Sequence, residues 1–73
     1  MDLDAAPLGT QLRVVAIHGP RAFRRRLLEL GLLPGTELRK QKVAPLGDPI
    51  ELEVRGTRLS IRRAQARGIE VRS

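Results

Sequence analysis

Apolar and polar residues alternate in two short stretches of the second half of the chain, and this period of two predicts a β-hairpin. The apolar positions are Ile50, Leu52 and Val54 in the first stretch and Leu59 and Ile61 in the second. Each stretch is therefore expected to bury one face and expose the other. The intervening Arg55-Gly56 predicts a tight two-residue connection.

Three further segments are predicted to be strands. The segment 11–18 is short and rich in β-branched side chains. Residues 69–71 form a last short strand after one helical turn at 63–67. Residues 36–44 form a longer strand, in which apolar positions 38 and 43 are an odd number of residues apart. A bulge or bend is expected between them. Residues 1–10 show no clear period and are expected to be a leader.

One segment has helical periodicity. Its apolar side chains recur at i, i+4 and i+7, and they are Phe23, Leu27 and Leu30. A helix over residues 21–30 is predicted, with these three side chains facing inward. Pro20 suits its start, because the missing N–H of proline would be unpaired in the first turn anyway.

The end of this helix has a recognisable signal. Gly31 is suited to the left-handed residue that follows a helix, and Leu32 would then contact Leu27 in a Schellman motif. Leu32 is accordingly expected to be structural. The following Pro34-Gly35 predicts a type II turn.

These elements predict a single mainly-β domain over residues 1–73. Five short strands with one helix after the first and a helical turn before the last can curl into a small, partly open SH3-like barrel. No run of about 20 apolar residues exists to span a membrane. The N-terminus lacks the features of a signal peptide, and a cytoplasmic location is expected.

Composition excludes several kinds of chemistry. The chain has no cysteine and one histidine, so disulfides, thiolate metal sites and catalytic triads are not expected. It also lacks the glycine-rich P-loop that would bind GTP. We therefore expect no enzymatic activity, no metal site within one chain and no cofactor.

The net charge of +6 has several interpretations. Twelve of the fourteen cationic residues are arginine, and such a surface can be merely solvated or can bind nucleic acid or an acidic protein. A basic nucleic-acid-binding barrel is the main alternative function. It is disfavoured by the near absence of aromatic side chains, on which single-stranded bases would stack.

The resemblance to a known family rests on three runs. They are LGLLPGT at residues 30–36, APLGDPI at 44–50 and VRGTRLSIRR at 54–63. Together they resemble the FeoA family of bacterial ferrous iron uptake. The resemblance implies an SH3-like barrel that acts as an accessory or regulator of FeoB, a membrane permease with a GTP-binding domain. The same domain type also forms the C-terminal module of metal-dependent repressors, which leaves a peptide-binding sensor as a third option.

One strand departs from the family pattern. Residues 38–43 are more polar than the family usually has there, and one interpretation is an edge strand on which lysines resist strand addition.

Four residues are candidates for binding a partner. Arg21 and Arg25 share a helix face, which is either solvated or docks electrostatically onto an acidic surface. Leu33 and Leu46 lie in turns, where they either plug the barrel or contact the permease or a second copy. His18 is interpreted as a polar residue at a strand end, although a metal shared between two chains is an open alternative. A homo-oligomer is permitted, and membrane contact is expected only through the permease.

Overall fold

The computed structural model describes residues 1–73 and contains one antiparallel sheet of five strands with two short helices. The elements are β1 (Gln11–Ile17), α1 (Arg21–Glu29), β2 (Glu37–Val43), β3 (Ile50–Val54), β4 (Thr57–Ile61), α2 (Arg63–Ala66) and β5 (Ile69–Arg72). Their order in the sheet is β4-β3-β2-β1-β5. The predicted fold class and order of elements are confirmed. Neither helix has the length and apolar character needed to cross a membrane.

The predicted hairpin is formed by β3 and β4. Its two-residue turn consists of Arg55 at φ 53° and Gly56 at φ 78°. Two successive positive φ values belong to the type I′ turn, whose twist matches that of the flanking strands. Val54 and Thr57 face each other across the turn, which sets the register of the whole hairpin.

The polar strand β2 lies in the middle of the sheet, between β1 and β3. The expected bulge is present, as a register shift between Lys40 and Lys42 in the pairing with β3. The interpretation of β2 as an edge strand is wrong. The structure explains one of its polar residues, Lys40, by the acceptors that surround its ammonium.

Lys40 is a buried lysine that fastens the N-terminal segment to the sheet. Its ammonium donates hydrogen bonds to the carbonyl oxygens of Asp4 at 2.7 Å and Ala6 at 3.0 Å. A buried charge is tolerated only when such hydrogen bonds replace its hydration. The central strand can therefore carry a lysine because the preceding segment supplies the acceptors.

Residues 1–10 precede β1 as expected, but they also complete the fold. The N–H of Val71 donates to the carbonyl of Met1 at 2.8 Å, and the N–H of Leu3 donates to the carbonyl of Ile69 at 2.8 Å. The first residues thereby cover the outer edge of β5, which would otherwise offer unpaired backbone groups. The side chain of Leu3 is fully buried.

A single apolar core lies between the curled sheet, α1 and the N-terminal segment. Its buried members are Leu3, Ala6, Leu12, Val14, Leu27, Leu32, Leu38, Ile50, Leu52, Val54, Ile61, Ala66, Ile69 and Val71. Of the three helix residues expected to face inward, Leu27 is buried and Phe23 packs partly against the core.

The end of α1 confirms the predicted Schellman motif. Gly31 has φ 90°, the Leu32 N–H donates to the Leu27 carbonyl at 2.8 Å, and the Gly31 N–H donates to the Leu28 carbonyl at 3.0 Å. The prediction that Leu30 faces inward is wrong, since this side chain is 43% exposed. The motif turns the chain back so that Leu32, fully buried, fills the end of the core instead.

Candidate docking site

An open groove of about 510 Å³ runs beside the exposed face of α1. One wall is the helix, and the other is formed by the end of β1 and the turn after the helix. Its lining residues are Ile17, Arg21, Arg24, Arg25, Leu28, Leu32, Leu33 and Pro34. We call this feature the α1 groove.

The helical wall follows from the period of the helix. Positions 21, 24, 25 and 28 are spaced i, i+3, i+4 and i+7, and such residues share one face. Burial of Leu27 on the inner side turns this face outward. All four of its side chains are exposed, including Leu28, a large apolar residue that is 58% exposed.

The opposite wall is fixed by the turn at residues 33–36. The Thr36 N–H donates to the Leu33 carbonyl at 3.0 Å, and Gly35 has φ 92°, as expected for a type II turn. The Thr36 hydroxyl also accepts from the Leu33 N–H at 3.2 Å and donates to the Gly31 carbonyl at 3.3 Å. The Gly35 N–H donates to the Val14 carbonyl at 2.7 Å, which ties the turn to β1. This bonding holds Leu33, half-buried, at the side of the groove.

The arginines of α1 have no acidic partner. Every contact within 4.0 Å between a carboxylate and a basic side chain joins other residues. These contacts are Arg13 to Glu37, His18 to Glu70, Arg58 to Glu51, and both Arg63 and Arg67 to Asp4. Glu29 lies one turn after Arg25 but forms no ion pair with it. The charge along the helix is therefore positive and uncompensated.

Arg63 in α2 and Arg67 directly after it, in contrast, are engaged within the fold. Asp4 accepts from Arg63 Nε at 2.9 Å and from Arg67 Nε at 3.3 Å. The hydrogen bond from Arg63 is the main cause that lowers the pKa of the Asp4 carboxyl, and the same contact raises the pKa of Arg63. These two arginines serve to hold the N-terminal segment, and we assign them no partner.

Other hollows of the surface lack this combination of several apolar side chains and free charge. One on α1 is lined by Arg21, Arg25 and Arg26 but has Ala22 as its single apolar lining residue and also carries Glu29. The one above β1, β2 and β3 has a single apolar lining residue, Leu38, and carries Glu37 and Glu53 beside its arginines. Another, around Phe23, is mainly apolar but has only Arg67 as a charged lining residue. The α1 groove is consequently the best candidate for a binding surface.

Three of the four predicted partner residues meet in the α1 groove, namely Arg21, Arg25 and Leu33. The fourth, Leu46, is not in it. It is 97% exposed in the loop between β2 and β3, where it plugs nothing.

Sequence reasoning did not identify Arg24, Leu28 or Ile17 as members of the groove. Arg24 and Leu28 lie i+3 and i+7 from Arg21, so the helical period could have identified them. The contribution of Ile17 could not be read from the sequence, since it depends on how the end of β1 packs beside the helix.

His18 directly follows β1, and its side chain is largely exposed. Its Nε2 lies 3.5 Å from a carboxylate oxygen of Glu70. No group of three or more His, Cys, Asp or Glu side chains comes together in the chain to bind a metal ion.

Comparison with known proteins identifies relatives over the whole chain. The model of the FeoA domain matches residues 1–73. A fusion of Fe(2+) transport protein A with the Fe(2+) transporter FeoB from Porphyromonas gingivalis is 35% identical over 71 residues. That match covers 97% of this chain but only 8% of the fusion protein.

Two solved structures are closely similar. The FeoA protein of Chlorobium tepidum has 42% identity and a TM-score of 0.92, with 97% of this chain and 68% of that chain covered. The FeoA of Stenotrophomonas maltophilia, a prokaryotic SH3 domain protein complexed with zinc, has 34% identity and a TM-score of 0.84. That match covers 99% of this chain and 89% of the other. The SH3-like character expected from the order of elements is thus confirmed.

Proposed function

The chain belongs to the FeoA domain family, and from that premise we propose that it is a cytoplasmic accessory protein of ferrous iron uptake. It acts by docking onto a FeoB-type permease through the α1 groove. The role is regulatory and not enzymatic, because the groove contains no nucleophile, acid or base set to react with a bound molecule. Contact with the membrane is made through the permease.

Two observations support a permease as the partner. In the Porphyromonas gingivalis relative a domain of this kind is fused to FeoB, and fused domains commonly work on the same process. The S. maltophilia relative has been suggested to activate ferrous iron transport. The single observation that carries the docking proposal is the α1 groove itself, in which apolar side chains are bordered by arginines without acidic partners.

Leu46 is proposed as a second contact, separate from the α1 groove. A leucine that is 97% exposed on a loop contributes nothing to the core, and apolar area of this kind is available to a partner. The two contacts require differently shaped partner surfaces. A protruding partner side chain fits the groove, whereas a hollow on the partner receives Leu46.

A calorimetric titration against the cytoplasmic part of the cognate permease tests this proposal. The variants are Leu33→Asp in the groove and Leu46→Asp in the loop. Leu8→Asp is the matched control for Leu46→Asp, since Leu8 is also exposed but lies in the N-terminal segment. Circular dichroism confirms that each variant is folded. We expect the groove variant to weaken binding by at least about 10-fold, because a charge would replace an apolar contact.

Salt and nucleic-acid controls separate the alternatives. Binding to the permease that persists at high salt, is weakened by Leu33→Asp and survives Leu8→Asp supports an apolar docking surface. Duplex and single-stranded nucleic acids are titrated at the same two salt concentrations, since a phosphate binder loses affinity steeply with salt. No permease binding, together with salt-sensitive binding of nucleic acid, would overturn the proposal.

A further inference from the structure

The dimensions of the α1 groove match a short length of helix. From Arg21 to Leu28 the wall rises by seven residues, or about 10 Å at 1.5 Å per residue. This is about two turns of a partner helix lying alongside.

The α1 groove is lined by apolar side chains as well as by arginines. Ile17, Leu28 and Leu33 line it together with Pro34. Leu28 is the more informative of these, because it stands on the outer face of a helix and is 58% exposed. It packs against no core, and a partner side chain of leucine size would cover it.

The arginines that border the α1 groove have a defined spacing. Arg21 and Arg25 are one helical turn apart, and Arg24 extends the positive edge on the side of Leu28. Carboxylates four residues apart on a partner helix have the same spacing, so two of them can face Arg21 and Arg25 together. A guanidinium offers two parallel N–H donors to a carboxylate, which favours this pairing over a neutral one.

Nucleic acid is a poorer occupant. None of the lining residues is aromatic, and the one aromatic side chain, Phe23, packs partly against the core. Bases would therefore find no aromatic side chain in the groove on which to stack. Half of the lining residues are apolar, which a phosphate backbone cannot use.

From these features we infer that the α1 groove binds an acidic amphipathic helix. Apolar side chains of that helix lie on Leu28 and Leu33, and its carboxylates pair with Arg21 and Arg25. The mode is that of a helix in a groove, recognised by residues at i, i+3, i+4 and i+7. This inference rests on the proposed function in taking the helix to belong to the permease, and it adds the chemistry of the recognised segment.

Model peptides test the chemistry without the permease. The first is an 18-residue amphipathic helix with a leucine stripe and glutamates four residues apart. In the second every glutamate is glutamine, and in the third every leucine is serine. Each is titrated into the full ¹⁵N-labelled chain, and amide resonances are followed by NMR.

We expect the first peptide to shift the amide resonances of residues around 17, 21–28 and 33. The loss of two exposed ion pairs should weaken the glutamine peptide by about 3- to 30-fold.

Charge-reversal variants distinguish position from net charge. The test variant is Arg21→Glu with Arg25→Glu. The matched control is Arg26→Glu with Arg72→Glu, which changes the net charge equally at two exposed residues that do not line the groove. The inference requires that only the test variant loses the preference for the glutamate peptide. Equal losses in both variants would mean that net charge alone attracts the peptide, and would overturn it.

The remaining outcomes separate this inference from the proposed function. Permease binding in the absence of any peptide preference would refute the acidic helix and leave the docking proposal standing. Peptide binding at the groove without permease binding would support the groove chemistry and refute the partner. A DNA duplex that shifts the same resonances and displaces the glutamate peptide would overturn the inference in favour of phosphate recognition.

Discussion

Replacement of Leu3 by alanine tests whether the first residues of the chain are part of the hydrophobic core. Leu3 is fully buried. Burial of such a side chain contributes about 1.5–3 kcal/mol, and the cavity left behind raises the cost of a Leu→Ala change to about 2.5–5 kcal/mol. A domain of 73 residues is expected to have a free energy of unfolding of about 4–11 kcal/mol. The variant should therefore lose a large share of its stability, and its melting temperature should fall by at least about 10 °C.

The measurement is a urea titration followed by far-ultraviolet circular dichroism, because the chain has no Trp or Tyr to report by fluorescence. Leu8→Ala is the matched control, since Leu8 belongs to the same segment but is 55% exposed. Its free energy of unfolding should change by less than about 0.5 kcal/mol. If Leu3→Ala proves as mild as Leu8→Ala, with an unchanged dependence on urea, the N-terminal segment is not packed as described.

Three further predictions concern other parts of the fold. Lys40→Met should lower the free energy of unfolding by about 1–3 kcal/mol in a urea titration, because it leaves the buried carbonyl of Ala6 and the part-buried carbonyl of Asp4 without the ammonium. Lys42→Met at an exposed neighbour should cost little, and equal effects of the two changes would contradict the role of the ammonium. Gly68→Ala should strongly lower the free energy of unfolding, because the added Cβ would lie 2.5 Å from the His18 carbonyl oxygen. A stable variant whose crystal structure shows an unshifted backbone would refute this steric argument. The lowered pKa of Asp4 means that its pairing with two arginines contributes stability above its unfolded pKa of about 3.9. That contribution is lost as the pH falls through the lower folded value. The stability difference between wild type and Asp4→Asn should thus be present at pH 6 and shrink toward pH 2; a difference independent of pH would exclude the ion pairs as its cause.

The parts of the fold that were predictable from sequence are those determined by neighbouring residues. The period of two and Arg55-Gly56 specify the β3–β4 hairpin, because positive φ at both turn positions sets the register locally. Gly31 likewise specifies the end of α1. In these places the signal and the structure it produces lie within a few residues of one another.

The parts that were not predictable depend on contacts between distant residues. Lys40 is one reason why the sequence of β2 resembles that of an edge strand. The carbonyl groups that accept its hydrogen bonds belong to residues 34 and 36 positions earlier in the chain. Leu3 has no periodic neighbours to reveal that it is buried. Local pattern cannot identify such contacts, because what buries each side chain is supplied by a different element.

The candidate site also combines features that local sequence predicts with one that depends on distant contacts. The helical period accounts for Arg21 and Arg25 on one face, and the turn signal accounts for Leu33. Their meeting in one groove depends on how the turn is tied to β1, through the hydrogen bond from Gly35 to Val14. Leu46, a turn leucine of similar appearance in the sequence, lies outside the groove because no such bond brings its loop to α1.

The pairing of Met1 with Val71 has a consequence for how such a domain can be attached to other proteins. Because Met1 lies beside Val71 in the last strand, a linker at either end leaves from the same corner of the domain. Covalent attachment of this kind raises the local concentration of a partner to roughly the millimolar range. A domain tethered to its partner therefore needs only a weak binding surface to remain engaged. A domain produced separately has to obtain the same occupancy from the contacts of its groove alone, so selection for groove affinity is stronger in the untethered arrangement.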